Sequence, residues 1–324
     1  MSAPLPSAQI GPTSVGLIGI GLMGEAIARR LADQGVDLLL YNRTPEKARA
    51  VAAALASTAA GALSGAASAG SGRPQRSEVV AYPRDTAAAR LIGLVVTDES
   101  ATRAVLQGEN GLLSSLSAQH TVVHFGTIGP RAARSIAAEV ARTGAHYLDA
   151  PVLGSTDAAG RGELLLFAGG EPPTVDRARP LTDAIARKVF VTGPVGSASS
   201  VKLIANMLLA RYVEALGETL ALAEKFELDP LQLLEVLQSS ALASPMWEKG
   251  RALLVGPMPL HFPMEHMGKD LRLLDEEVER LGLSLPGHEA VKALFEEAIA
   301  AGMKGQDYSE IARFIARETP RRAP

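Results

Sequence analysis

The sequence predicts an α/β chain in which a doubly wound parallel sheet is followed by an all-helical domain. Three observations predict it. Over about the first 190 residues, short apolar runs alternate with helix-patterned stretches, as expected of strands covered by helices on both faces. A glycine-rich turn, Gly19-Ile20-Gly21-Leu22-Met23-Gly24, joins the first apolar run to the first helix. Beyond Gly196 the strand-like runs stop and helical periodicity takes over. A chain of 324 residues is also long for one core, so two domains are the natural expectation.

Taken in order, Ser14–Ile20 reads as a strand, Gly24–Gln34 as a helix and Val36–Tyr41 as a second strand. Further strands are expected at Leu91–Val96, Thr121–Phe125 and Tyr147–Leu148. The Ala/Gly/Ser-rich stretch Ala52–Gly72, followed by Arg73-Pro74-Gln75-Arg76, interrupts the alternation. Its first part can extend the preceding helix, and 56–76 are assigned as a flexible insertion loop without chemistry. From Ser197 to about Phe226 one long helix is expected, with Leu203, Met207, Ala210 and Glu214 on successive turns. Shorter helices follow near 230–240, 268–282 and 286–302. The expected domains are 1–192, including a loose tail over 1–13, and 193–324, ending in a loose tail from Thr319.

Composition narrows the function classes. Apolar residues make up 47% of the chain, enough for sizeable cores, and the net charge is −3 with Lys and Arg scattered. A nucleic-acid binder would show a basic block or face, so no nucleic-acid partner is expected. The absence of cysteine excludes disulfides, thiolate chemistry and Cys-ligated zinc. The N-terminus does not pattern as a signal peptide and no apolar run is long enough for a bilayer, so the expectation is a soluble, cytoplasmic protein with no membrane partner. His261 and Glu265-His266 lack metalloprotease spacing. They read as loop and surface groups, and no metal is expected.

The glycine turn has the form G-x-G-x-x-G, set between a strand and a helix in a βαβ unit, which makes it a Rossmann-type dinucleotide fingerprint. Gly19 permits the tight turn, Gly21 lets the backbone approach a pyrophosphate, and Gly24 lets helix pack on strand. Leu22 and Met23 begin the helix whose free N–H groups face the phosphates. The second strand ends in Asn42-Arg43-Thr44, 18 residues beyond Gly24, where an NAD-preferring site carries a carboxylate. Arg43 can clamp a 2′-phosphate, with Asn42 and Thr44 as neutral donors, so NADP(H) is the expected cofactor. The bland alternative is a solvated Arg43, with Thr44 capping the helix that starts at Pro45, and both readings can hold at once. Thr97 and Thr127, each just past an expected strand, complete the candidate cofactor contacts.

Reduction of a carbonyl by a nicotinamide requires a proton donor beside the oxygen that gains charge. Lys202 and Asn206 lie four residues apart on the long helix, near the expected domain junction. Burial of Lys202 would lower its pKa toward neutrality. On spacing alone, a surface lysine followed by an amide fits better.

Five ordered motifs then resemble the β-hydroxyacid dehydrogenase family. Gly16–Gly24 is similar to the family's opening signature, and Tyr41-Asn42-Arg43-Thr44-Pro45 to its NADPH-using branch. Asp149-Ala150-Pro151-Val152, continuing through Gly154-Ser155 to Gly160 and Gly162, resembles the substrate-binding loop. The stretch from Gly193 through Lys202 to Asn206-Met207 resembles the catalytic helix, and Gly268-Lys269-Asp270-Leu271 the late element whose lysine reaches cofactor or substrate. The resemblance implies hydride transfer from nicotinamide C4 to a small aldehyde or keto acid, giving the hydroxy acid. It implies Lys202 as proton donor, Asn206 as its catalytic partner, Lys269 as a cofactor contact, and Leu153, Gly154 and Ser155 beside the substrate.

The match is not uniform. Leu153 stands where the family usually has serine, and Gly126-Thr127-Ile128-Gly129-Pro130 replaces Ser-Thr-Ile-Ser-Pro. His124 ends a strand where the family tends to have aspartate, Met246-Trp247 would wall a substrate site or pack in a core, and Arg211 is a candidate anchor for a carboxylate. Two rival readings remain: an imine reductase of similar architecture, and a catalytically silent NADPH-binding scaffold. Relatives of both kinds tend to lack the lysine found here as Lys202. The apolar circumference of the long helix predicts a homodimer.

Overall fold

The structure, a computed structural model, describes residues 14–64 and 75–318. The expected tails, and positions 65–74 of the expected insertion loop, lie outside the described residues. The chain divides into two compact units, Met1–Lys202 and Leu203–Pro324.

The first unit runs β1 (Ser14–Ile18), α1 (Leu22–Asp33), β2 (Asp37–Tyr41), α2 (Pro45–Ser64), β3 (Ser77–Val79) and β4 (Leu91–Leu94). It continues through α3 (Glu99–Leu106), β5 (Thr121–His124), α4 (Pro130–Ala141), β6 (His146–Asp149) and β7 (Val152–Leu153). It closes with α5 (Thr156–Arg161), β8 (Leu164–Gly169), α6 (Pro172–Ile185) and β9 (Ala186–Gly193). The strand order is β3-β2-β1-β4-β5-β6-β8-β7, with β9 also paired to β8. Successive side chains of β1 supply opposite faces, as strand geometry dictates. Leu17 packs with Ile27 and Leu31 of α1, while Ile18 packs with Ile136 and Val140 of α4.

The structure refines the expected sheet unit in three respects. The sheet is not wholly parallel, because β7 and β6 both run antiparallel to β8. Only residues 154–163 separate β7 from β8, too few for the crossover a parallel pair needs. The insertion is shorter than expected: α2 stays helical to Ser64, and Gln75 and Arg76 already bond to β2 and its approach, Gln75 Nε2 donating to Val36 O at 3.0 Å and Leu38 N to Arg76 O at 2.8 Å. Strands β3, β8 and β9 add to those read from the sequence.

The second unit is helical. The long helix α7 (Ser197–Lys225) is followed by α8 (Pro230–Gln238), α9 (Met246–Val255), α10 (Met264–Arg280), α11 (Pro286–Ala298) and α12 (Ile311–Glu318). Val213 and Leu216 of α7 pack with Leu234, Trp247, Met267, Phe295 and Ile311 in its core. Trp247 is therefore a packed core aromatic, its indole N–H donating to Leu242 O at 2.8 Å. Glu265 and His266 lie in the first turn of α10 rather than in a loop. Pro263 precedes that helix, where a missing N–H costs no internal bond. The two compact units meet inside α7, ten residues past the expected domain boundary at 192/193. The first turn of α7 belongs to the sheet unit: Ala198 is fully buried and Ser197 Oγ shares a 2.7 Å hydrogen bond with Thr192.

Among the described residues no helix is long and apolar enough to cross a membrane, and no group of three or more His, Cys, Asp or Glu is placed to hold a metal ion.

Candidate active site

The order of strands reverses at β1, between β2 and β4, and ligands of open α/β sheets bind at the carboxyl ends of such strands. The glycine loop leaves β1 there. Gly19 has φ of +100°, and a Cβ on it would collide with the Val95 carbonyl; one on Gly24 would collide with Gly19 O. The loop can therefore hold this turn only as glycine. A Cβ on Gly21, by contrast, would meet nothing within 4 Å. Gly21 is the N-cap of α1 and no side chain caps that end. Leu22 is 48% exposed and Met23 half-buried. An open backbone at a helix N-terminus fits a pyrophosphate.

Other predicted cofactor residues gather around this loop. Asn42 is committed within the protein: Oδ1 accepts from Ile20 N at 2.9 Å and Nδ2 donates to Thr44 O at 2.9 Å. It pins the glycine loop to the end of β2, and the exposed groups at that strand end are Arg43 and Thr44. Thr97 is exposed just past β4, its hydroxyl 3.0 Å from Asp98 Oδ2. Thr127 is half-buried past β5. Gly126 brings that loop against the one after β4, since a Cβ on it would overlap the Val96 carbonyl.

His124 is fully buried and bonded on both sides. Thr102 Oγ1 donates to Asp98 O at 2.7 Å, which leaves it to accept from His124 Nε2 at 3.4 Å. His124 Nδ1 then accepts from the Tyr147 hydroxyl at 2.8 Å. Burial holds that phenol well above its ordinary pKa, and the nearby Asp149 adds to the effect. These bonds hold the imidazole inside the sheet unit.

The expected substrate loop divides between structure and exposure. Leu153 pairs with Leu165 in the β7/β8 ladder and is half-buried, and Gly154 is exposed. Ser155 caps α5, its Oγ accepting from Ala158 N at 3.2 Å. Its hydroxyl is therefore occupied locally.

On α7, Lys202 is 9% exposed and Asn206 1%, one turn apart on the same helix. The Asn206 amide donates from Nδ2 to Asp270 Oδ2 at 2.6 Å, and Lys269 Nζ donates to the other oxygen of Asp270, also at 2.6 Å. Asp270, 2% exposed, thus joins two of the predicted residues. Its place directly after Lys269 in the sequence is the signal that points to it. Asn206 Oδ1 is buried with no hydrogen-bond partner, an acceptor suited to a hydroxyl. Arg211 lies nine residues from Lys202, two and a half turns and so on the opposite side of the helix from it. It packs against Gly287, where a side chain would overlap its guanidinium.

The glycine loop at the switch point, with an open helix N-terminus behind it, defines a dinucleotide-binding protein of the oxidoreductase class. Residues 14–193 match the NAD binding domain of 6-phosphogluconate dehydrogenase, and residues 196–315 the NAD-binding of NADP-dependent 3-hydroxyisobutyrate dehydrogenase. The chain belongs to the β-hydroxyacid dehydrogenase family, NAD(P)-dependent oxidoreductases acting on CH–OH groups. It is 28% identical to glyoxylate/succinic semialdehyde reductase 2, chloroplastic, of Arabidopsis thaliana, over 99% of this chain and 85% of the relative. It is 28% identical to 2-hydroxy-3-oxopropionate reductase of Escherichia coli over 93% of this chain and 96% of the relative. The crystal structure of 3-hydroxyisobutyrate dehydrogenase from Salmonella typhimurium shares the fold, with a TM-score of 0.78 and 24% identity, covering 93% of this chain and 99% of that one.

Proposed function

We propose that the protein reduces the carbonyl of a small aldehyde or keto acid with NADPH and interconverts it with the corresponding hydroxy acid. The observation that carries this reading is a lysine, Lys202, buried to 9% exposure one turn from the buried Asn206. The semialdehyde and hydroxy-acid reductases among the relatives support the substrate class.

The backbone at Gly19–Gly24 receives the pyrophosphate and Arg43 the 2′-phosphate, which favours NADPH over NADH. When bound, the nicotinamide supplies hydride to the carbonyl carbon. Lys202 donates its ammonium proton to the carbonyl oxygen as charge develops there, and takes that proton back in the oxidation direction. Asn206 presents Oδ1 to the substrate hydroxyl while Asp270 fixes the other end of its amide. Lys269, steadied by the same carboxylate, adds positive charge beside cofactor or substrate. The protein is further proposed to act in the cytoplasm, which a cysteine-free chain suits, and as a homodimer. Ile204, Leu208 and Tyr212 on α7, each between 47% and 50% exposed, support an apolar contact between copies. A light-scattering mass equal to one chain would remove the dimer.

The test follows NADPH oxidation for wild type and Lys202→Ala with glyoxylate, succinic semialdehyde, methylmalonate semialdehyde, tartronate semialdehyde and one cyclic imine. The expected result is turnover of an aldehyde acid that falls by about 10²- to 10⁴-fold in Lys202→Ala while NADPH still binds. Turnover of the imine alone, undiminished in the variant, would replace this reading with imine reduction. Tight NADPH binding with no turnover of any member would favour a silent scaffold.

A further inference from the structure

Asp149, the last residue of β6, is fully buried and bonds to the start of α7. Its Oδ2 accepts from Gly196 N at 3.0 Å and Ser199 N at 2.9 Å, and its Oδ1 accepts from the Ser199 hydroxyl at 2.7 Å. The first N–H groups of any helix lack partners inside it, and its N-terminus carries partial positive charge. A carboxylate there satisfies both needs. Since every donor points at the carboxylate, a proton on either oxygen would face an N–H or O–H. Its pKa is raised, because burial outweighs the Ser199 and Gly196 donors and the Arg134 guanidinium of α4, which act to lower it. The other titratable neighbours are Tyr147, two residues earlier on β6, and His124, its register partner on β5.

The clamp acts on rotation as well as charge. Ser199 is held by both its main chain and its side chain, which fixes α7 in rotation and in register. Lys202 follows three residues later, about 4.5 Å along the axis and on an adjoining face. That face is the buried one: Ser199, Lys202, Leu203 and Asn206 are all at most 9% exposed, whereas Ile204 and Leu208 are near half exposed. Turning α7 by one residue, about 100°, would carry Lys202 off that face.

We propose that Asp149 is a positioning residue for Lys202, setting the rotation of α7 and the field at its first turns. This rests on Lys202 being the proton donor. It follows that the lysine must be protonated for reduction, so kcat falls as pH rises through the lysine pKa. Neutralising Asp149 leaves the positive helix end unbalanced and lowers that pKa, moving the alkaline limb to lower pH.

The experiment compares wild type, Asp149→Asn and Ser199→Ala, which loses the hydroxyl donor but keeps the Ser199 N–H. Readouts are kcat and KM for the best aldehyde acid against pH, and NADPH affinity by fluorescence. In parallel, the pH dependence of Lys202 acetylation by acetic anhydride is followed by mass spectrometry. Asp149→Asn should lose about ten- to hundredfold in kcat, with NADPH affinity unchanged. Its alkaline limb and its Lys202 labelling midpoint should both fall by about 0.5 pH unit. Ser199→Ala should move in the same directions by less, and decides the matter if Asp149→Asn does not fold. Unmoved midpoints in a folded variant, or an activity loss that merely parallels lost NADPH affinity, overturn the inference. If wild type reduces no aldehyde acid, the reductase reading fails instead. The labelling midpoint still tests the clamp, because it needs no turnover.

Discussion

The two units handle buried polar groups and exposed apolar ones in opposite ways. In the sheet unit, the buried Asp149 takes three donors and the buried His124 is bonded at both ring nitrogens. In the helical unit, Asn206 Oδ1, Arg211 Nε and both nitrogens of His288 are buried without a hydrogen-bond partner, and no such atom occurs among the described residues of the sheet unit. Exposure runs the same way: among the described residues, Leu22, Tyr82, Phe190 and Val191 are the large exposed hydrophobics of the sheet unit, and the others, from Ile204 to Leu283, belong to the helical unit. A sheet completes its hydrogen bonds strand by strand and hides both faces under its own helices. A helix satisfies its backbone internally, so only side-chain packing decides which faces are covered. Among the described residues, the sheet unit thus leaves fewer polar atoms unpaired and fewer large apolar side chains exposed than the helical unit does.

The largest expected effect attacks the sheet unit where it has least slack. Gly24→Ala should lose detectable NADPH binding by fluorescence titration, because the added carbon overlaps the Gly19 carbonyl and backbone cannot step aside cheaply. Retained binding would show the loop to be more pliant than the sheet unit's packing implies. Next, Asp270→Ala removes the acceptor of the buried Asn206 amide and one partner of Lys269 in the helical unit. A loss of about 2 kcal/mol in urea unfolding is expected, and a neutral result would mean that this unit tolerates further unpaired polar groups. Arg43→Ala should weaken NADPH by about tenfold with NADH unaffected. Parallel loss of both would show that Arg43 supports the loop rather than reading the 2′-phosphate.

The smallest effect is a pH slope. His288, fully buried between α10 and α11 with Nε2 3.6 Å from Asp275 Oδ1, has its pKa lowered by burial, with Lys292 and Arg211 adding to this and Asp275 opposing it. The unfolded chain therefore takes up a proton that the folded one resists. The stability contributed by the neutral ring is present above the ordinary imidazole range, near pH 6.5, and is lost as pH falls below it. Unfolding midpoints at pH 7.5 and 5.5 should drop more for wild type than for His288→Leu. An equal drop would place the acid sensitivity of the helical unit elsewhere.

Much of this was legible in the amino-acid order, and the exceptions share a cause. The β1–α1–β2 unit and its glycine loop are local: strand, turn and helix lie within Ser14–Tyr41, and φ of +100° at Gly19 is written into the residue type itself. Ser155 turned out to cap the short helix α5 through its hydroxyl, a role that the loop sequence around it did not announce. Arg211 misled through phase, since nine residues along a helix reverse the face. The antiparallel β8 was missed because an apolar run does not state its direction.

What the sequence determined alone was therefore the β1–α1–β2 unit, the long helix α7, the dinucleotide loop and the family, all carried by patterns a few residues wide. Which carboxylates hold the working groups was decided only in three dimensions. Asp149 meets Ser199 across 50 residues and Asp270 meets Asn206 across 64. No local propensity encodes such pairings. They exist because burial makes an unpaired carboxylate too costly, and only the folded chain shows which donors stand close enough to pair with it.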